Sequence, residues 1–319
     1  MLEQIENCAS KNKQQYISLP SDNSRPFIEF LRYKITESIR REYAVLDEIQ
    51  KIAIPKDAYR ILPGDDVIAY LGLGKDASTS ICNSIRLYFK ANDIKKPVYH
   101  FHNFTSLDMM PNTLPFNLLA AALYDSVFLK YKHEIQWKFI YGIRDVVGRA
   151  ISAHFDRMFP KIGYDKKELV SDMQKFFPVI KHFLTKTTER VTGINCYEYP
   201  FDVNAGYSII KKDNMQILLY KFENINMFVV EAFEKFINAQ INLSKNNITD
   251  DRRISYAGES IKSAYSRAKK EFCIPREVAD DLYTHKSVTH FYSQEEIESF
   301  YRKWVNESLT KKDWEEGKW

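Results

Sequence analysis

The chain is short of glycine and cysteine: its 319 residues include ten glycines and four cysteines. Scarce glycine beside abundant Lys, Asn and Ile reads as a bias of the genome, not as a functional signature. The cysteines (Cys8, Cys82, Cys196 and Cys273) lie far apart with no C-x-x-C pair, and read as free thiols in a reducing compartment. There is no excess of one charge: 46 basic and 42 acidic residues leave a net charge of +4. That balance excludes nucleic-acid binding as the main role, although a local basic cleft for a polyanion needs no large net charge. No run of 18 apolar residues and no N-terminal apolar segment appears, so no transmembrane segment or secretory leader is expected and the chain reads as cytoplasmic. No internal repeat is present. Disorder is excluded by content: 45% of residues are hydrophobic and 14% aromatic. A chain of this length buries a full α/β core.

Against that background Val67–Ser80 stands out. Val67-Ile-Ala-Tyr-Leu71 predicts a buried parallel strand. Gly72 and Gly74 allow a tight turn with close backbone approach. Ser78, Thr79 and Ser80 open a helix with apolar positions at Ile81, Ile85 and Phe89. The N–H groups of such a helix start form an anion site, to which Lys75 and the hydroxyls add. An ordinary strand–helix turn with a Ser/Thr cap fits the same residues. A Walker A loop does not, because Ala69 stands where its first Gly belongs and Asp76 where its Ser/Thr belongs. Gly72-Leu-Gly-Lys-Asp-Ala77 matches the short dinucleotide fingerprint. The next predicted strand, Pro97–Asn103, ends in His and Asn instead of the acid that holds a ribose.

A second segment runs Trp137–Ile143 as a strand, then Arg144-Asp145, then a helix carrying Ser152 two turns on. An arginine fork and a serine hydroxyl placed in this way can grip one phosphate from two sides. The alternative is a helix capped by Asp145 and followed by a solvated arginine face. Between the two segments, Tyr99-His-Phe-His-Asn103 places His100 and His102 on one face of a strand. They can supply a base, form a pair of core histidines, or bind metal. No Cys or carboxylate cluster lies near them in sequence to complete a metal site.

Together these segments resemble the sulfotransferases that use 3′-phosphoadenosine 5′-phosphosulfate (PAPS). The cradle of that family reads roughly P-[KR]-S-G-[ST]-[ST]. Here Gly74, Lys75, Asp76, Ala77, Ser78 and Thr79 take those places, with Ser80 beyond. Asp76 and Ala77 depart from the usual Ser and Gly. An aspartate beside a polyanion is unfavourable unless it points away, and a Cβ at residue 77 is tolerable at negative φ. The resemblance implies that Lys75 contacts the phosphosulfate bridge and that Ser78 and Thr79 hold the 5′-phosphate. It further implies that Arg144 and Ser152 bind the 3′-phosphate, that His102 is the base, and that His100 takes the place of a lysine. Met215–Ile225 is similar to the late strand of that family, which ends in an aromatic and an acid. Phe201-Asp202 with Gly206-Tyr207, the His100-Phe-His102 strand and the segment from Thr289 to Trp304, which opens Thr289-His-Phe-Tyr-Ser-Gln-Glu-Glu-Ile297, are together similar to bacterial capsular polysaccharide synthesis proteins of the sulfotransferase-like group. The resemblance covers about Val67 to Trp304.

The expected fold is α/β: a parallel sheet flanked by helices, P-loop-like, with right-handed crossovers and phosphate ligands at the carboxyl ends of its strands. An N-terminal helical extension (1–60) contains an amphipathic helix from Pro26 to Ile54, suited to packing on the core or to a homodimer contact. The α/β domain spans 61–310 with a helical C-terminal region, and 311–319 is a polar tail expected to fray. The implied function is PAPS-dependent sulfonyl transfer to a hydroxyl of a glycan or glycolipid acceptor, with no metal. Two other readings stay open: a non-catalytic or differently specialised capsule-synthesis factor of the same fold, and a Rossmann-type dinucleotide enzyme.

Overall fold

The computed structural model describes residues 64–101, 128–129, 132–157, 163–243, 255–256 and 258–319. The helix expected over 26–54 and His102 lie outside them. The chain divides into two compact units. The first comprises Met1–Leu71, Asp93–Phe139 and Lys211–Gln216; the second comprises Gly72–Asn92, Ile140–Ile210 and Ile217–Trp319.

Strands β1 (Asp66–Leu71), β2 (Val98–Phe101), β3 (Gln136–Ile143), β4 (Tyr207–Lys212) and β5 (Met215–Lys221) form one sheet in the order β2-β1-β3-β5-β4. β1 and β2 are parallel, with Ile68 opposite Val98 and Tyr70 opposite His100. β3 and β5 advance together: Trp137 N–H bonds the Asn214 carbonyl near one end, and Phe222 N–H bonds the Ile143 carbonyl at the other. β4 and β5 are a hairpin closed by Asp213-Asn214, with Asp213 at φ 52°. The apolar runs behave as their composition dictates: β1 from Val67 to Leu71 and β5 from Ile217 to Tyr220 are fully buried, as suits strands covered on both faces. The chain leaves β1 for β2 on one side and later returns to β3 on the other. Such a reversal of strand order is where open α/β sheets receive ligands.

In the second unit, helix α1 (Ser78–Ala91) buries Ile81, Ile85 and Phe89, the three positions read from the sequence. Helix α2 (Val146–Arg157) follows β3, and helix α3 (Lys166–Phe183) is capped by Asp165 accepting from Glu168 N–H at 2.8 Å. α2 packs on α3 and on a later helix, α5 (Ile261–Glu271), through contacts such as Phe155 against Tyr265 and His154 against Asp172 at 3.2 Å. Helix α4 (Ile225–Ile237) follows β5 and presents Phe228, Ala232, Phe233 and Phe236 to the interior. The chain ends in α6 (Arg276–Tyr283), α7 (Gln294–Trp304) and α8 (Lys311–Glu315). Pro275 stands at the N-cap of α6, where a residue without a backbone N–H is tolerated. No helix among the described residues is long and apolar enough to cross a membrane.

The tail expected to fray is ordered instead. Thr310 caps α8 by accepting from Asp313 N–H, and the Trp314 indole is buried. Trp319 meets Phe272 edge-on at 4.7 Å between ring centres, and Lys166 lies over its other side at 4.4 Å. The polar majority of the segment hid two tryptophans in nine residues, which is ample apolar area to fix it. Truncating Trp314 should therefore cost about 3–5 kcal/mol, as large buried aromatics do. Urea denaturation of Trp314→Ala checks this; an unchanged midpoint means the tail contributes nothing to the core.

Candidate functional site

The candidate site is built within the second unit, from the loop 72–77, the start of α1, the β3–α2 junction and the end of β5. The loop takes a tight left-handed path: Gly74 has φ 81°, Lys75 φ 62° and Ala77 φ 66°. The negative φ hoped for at residue 77 is not adopted. An alanine held there costs about 1–2 kcal/mol relative to ordinary backbone, a cost glycine avoids. Something must hold the loop against that preference, and the surrounding contacts identify it.

Contacts from α2, β3 and β5 pin the loop. Asp76 points inward, fully buried, with its carboxylate 3.4 Å from Arg149 Nη2. The same guanidinium nitrogen donates to the Gly142 carbonyl at 2.7 Å. Lys75 Nζ lies 2.7 Å from Asp156 Oδ1. Arg144 donates to the Lys75 carbonyl, and the Tyr220 hydroxyl donates to the Asp76 carbonyl. Arg149, Ser152 and Asp156 recur at the three- and four-residue spacing of one helix face. That face of α2 grips the loop, with buried Ser152 between the two ion-pairing positions. Asp76 therefore does not confront a ligand; it is a tether. Arg149 is buried as well, so the solvated arginine face considered for this helix is not what forms.

α1 begins directly after Ala77 with no side-chain cap, and its first backbone bond runs from Ile81 N–H to the Ala77 carbonyl. Ser78 and Ser80 are buried at its first turn with Thr79 between them, so the hydroxyl-rich start forms where the sequence placed it. Arg144 ends β3. Its guanidinium stacks on the Phe222 ring at 4.3 Å and has no carboxylate partner among the described residues. Asp145 behaves as a helix cap: Oδ2 accepts from Gly148 N–H at 3.0 Å and from Trp304 Nε1 at 2.8 Å, and Oδ1 accepts from the Tyr283 hydroxyl at 2.9 Å. A Cβ on Gly148 would stand 2.8 Å from that oxygen, so the cap needs glycine there.

Glu223 follows β5. Its oxygens accept from Asp145 N–H at 2.8 Å and from the Tyr292 hydroxyl at 2.9 Å. The side chain is open to solvent on one side while protein surrounds it on the others. That enclosure raises its carboxyl above the usual carboxylate value; the Asp145 N–H opposes the rise and the Asp145 charge adds to it. Tyr292 is itself anchored. His290 bonds the Tyr199 carbonyl at 3.0 Å, Phe291 packs on Phe201, and Ser293 with Glu296 forms a capping box on α7. Glu296 also holds the buried Lys221 ammonium at 2.6 Å, fixing the end of β5.

The structure thus gathers Gly74, Lys75, Ala77, Ser78, Thr79, Ser80, Arg144 and Ser152 in one unit. Of the histidine pair, His100 lies on β2 in the first unit, edge-on to Tyr70 at 5.6 Å, and His102 is outside the described residues. No metal-ligating cluster is found among the described residues. Arg149 and Asp156 escaped the sequence reading, although their spacing around Ser152 signals a shared face. Glu223 was visible only as the acid closing a late strand.

Residues 166–293 match the NKWYS family, described as "Putative capsular polysaccharide synthesis protein". The match covers about two fifths of the chain and includes Glu223 and Tyr292, but neither the loop 72–77 nor Arg144. No curated protein and no solved structure matches the chain.

The tether leads to two expected stabilities. Asp76→Ala leaves Arg149 buried without its counter-charge and should cost about 3–5 kcal/mol, while Asp76→Ala with Arg149→Met should recover much of that loss. Ala77→Gly should stabilise by about 1 kcal/mol, the relief of left-handed strain less glycine's added unfolded-state entropy. Denaturant titration of the set reads both; a destabilised glycine variant contradicts the account of the loop.

Proposed function

We propose that this chain is a transferase of capsule or surface-glycan synthesis. It would bind PAPS on the loop 72–77 and move its sulfonyl group to an acceptor hydroxyl. The observation that carries the reading is Arg144: a guanidinium at a strand end, without an ion-pair partner among the described residues, hydrogen-bonded to a left-handed loop that opens into an uncapped helix start. Backbone N–H groups at a helix start and an unspent arginine are complementary to a multiply charged phosphate. The family matched over residues 166–293 supports the glycan setting.

In this reading the 5′-phosphate end of PAPS sits over the start of α1, with Ser78 and Thr79 as hydroxyl donors. The 3′-phosphate lies against Arg144, with Ser152 as the neutral donor. The acceptor oxygen bonds to sulfur as the bond from sulfur to the bridging oxygen breaks, leaving adenosine 3′,5′-bisphosphate. Charge grows on the bridging oxygen as that bond breaks, so a lysine there interacts most strongly with the transition state. Lys75 is the candidate, and it must exchange Asp156 for the ligand to act. The same ion pair motivates a second reading, in which Lys75 is a permanent strut and the protein is a capsule-synthesis scaffold without transfer activity.

Adenosine 3′,5′-bisphosphate should bind more tightly than AMP by about 2–4 kcal/mol, the worth of a charge-assisted pair and one hydroxyl bond. Arg144→Ala should erase that preference and lower the stability of the free protein only by the worth of one hydrogen bond and a ring contact, about 1–2 kcal/mol. Melting curves with each nucleotide check it: a ligand at a hundred times its dissociation constant adds about 2.7 kcal/mol. Equal shifts from both nucleotides would remove the case for a 3′-phosphate clamp. Bisphosphate binding with no transfer from PAPS to any hydroxyl acceptor favours the scaffold.

A further inference from the structure

Two carboxylates meet at the ends of β3 and β5, and their surroundings differ. Asp145 is buried and takes three donors, from Tyr283, Trp304 and Gly148. That carboxylate is committed to holding α2, α6 and α7 in place. Glu223 takes two donors, one on each oxygen, from the Asp145 N–H and the Tyr292 hydroxyl. A carboxylate offers about four lone-pair sites, so each Glu223 oxygen keeps one. Glu223 is exposed, and no cation lies within ion-pair reach of it among the described residues. The donor that orients it is the peptide N–H immediately after Arg144. Phe222, the residue before Glu223, is the ring on which the Arg144 guanidinium rests. A cation with no carboxylate partner among the described residues and an open carboxylate are therefore each fixed by the other's chain neighbour. The open lone pairs of a carboxylate accept a hydrogen-bond donor or a proton, so a hydroxyl presented there suits Glu223. Nearby carboxylates in contrasting environments commonly take different roles.

We propose that Glu223 is the proton acceptor for the hydroxyl that attacks sulfur, the role the sulfotransferase resemblance gives to His102. The inference rests on the transferase reading above. As the acceptor oxygen forms its bond to sulfur, its proton passes to a Glu223 oxygen. The electron pair of the breaking sulfur–oxygen bond leaves with the 5′-phosphate of adenosine 3′,5′-bisphosphate. The Asp145 N–H and the Tyr292 hydroxyl hold the carboxylate in one orientation throughout. Tyr292, anchored by its neighbours His290 and Phe291, is a positioning residue.

The test measures radiolabel transfer from PAPS to a crude surface-glycan extract, with bisphosphate melting shifts in parallel, for wild type, Glu223→Gln, Glu223→Asp, Glu223→Ala and His102→Ala. Glu223→Gln should lower turnover by roughly 10²–10⁴-fold, the usual contribution of a general base, while keeping the bisphosphate shift. Glu223→Asp should retain intermediate turnover. Added formate should restore part of the turnover of Glu223→Ala, and His102→Ala should lose far less than Glu223→Gln. Near-wild-type transfer by Glu223→Gln overturns the proposal. So does loss of the bisphosphate shift in both Glu223→Gln and Glu223→Asp, which marks a structural role. A wild-type protein that never transfers label overturns the transferase reading and this one with it, an outcome distinct from transfer that survives the substitutions.

Discussion

The buried ion pair between Asp76 and Arg149 is the constraint on which the site depends. A loop with three left-handed residues, one of them alanine, does not hold its shape by intrinsic preference. Asp76 anchors the middle of the loop to the first turn of α2, and Arg149 ties that anchor to the end of β3 through the Gly142 carbonyl. The Tyr220 hydroxyl, from β5, takes the Asp76 carbonyl. A strand, a helix and a neighbouring strand thus converge on one residue. The uncapped start of α1 then follows as geometry: the chain enters the helix straight from a left-handed alanine, with no capping side chain over the first N–H groups.

Charge is divided with consequence across this region. Arg149 is spent on the buried Asp76, and the buried Lys221 on Glu296, which is itself partly exposed; these pairs fix β3, β5 and α7. Lys75 is held by Asp156, which is partly exposed. A partly solvated pair exchanges partners at lower cost than a buried one, because its desolvation is incomplete. Among the described residues Arg144 bonds a carbonyl and rests on an aromatic face, with no carboxylate partner. Among these four cations Arg144, at the carboxyl end of β3, is the one without a carboxylate partner among the described residues. The carboxylates differ as well, Asp145 being buried and Glu223 exposed.

Much of this was legible in the sequence because it rests on local pattern. The apolar runs of β1 and β3, the helix positions Ile81, Ile85 and Phe89, and the glycine-rich turn followed by hydroxyls all appear where periodicity and turn chemistry place them. Arg144 was legible as the polar residue ending an apolar strand. What sequence could not assign was the partner of each charge. Asp76 read as a flaw in a phosphate cradle because its counter-ion lies 73 residues away. Residue 77 carried no mark of positive φ, since alanine is a poor choice for it. The Thr289–Ile297 motif was noticed as a likeness, but its physical task, holding Tyr292 against Glu223 and Glu296 against Lys221, exists only in three dimensions. The tail was misjudged because mean polarity outweighed two tryptophans.

The central claim is that the loop 72–77 and Arg144 form one preorganised anion site. A crystal structure of the protein with adenosine 3′,5′-bisphosphate tests it most directly. The account predicts the 5′-phosphate within hydrogen-bond reach of the backbone N–H groups that open α1, and the 3′-phosphate against Arg144 and Ser152. It also predicts that Asp76 stays on Arg149. A bisphosphate bound elsewhere, or a loop that abandons Arg149 to admit it, would contradict the account.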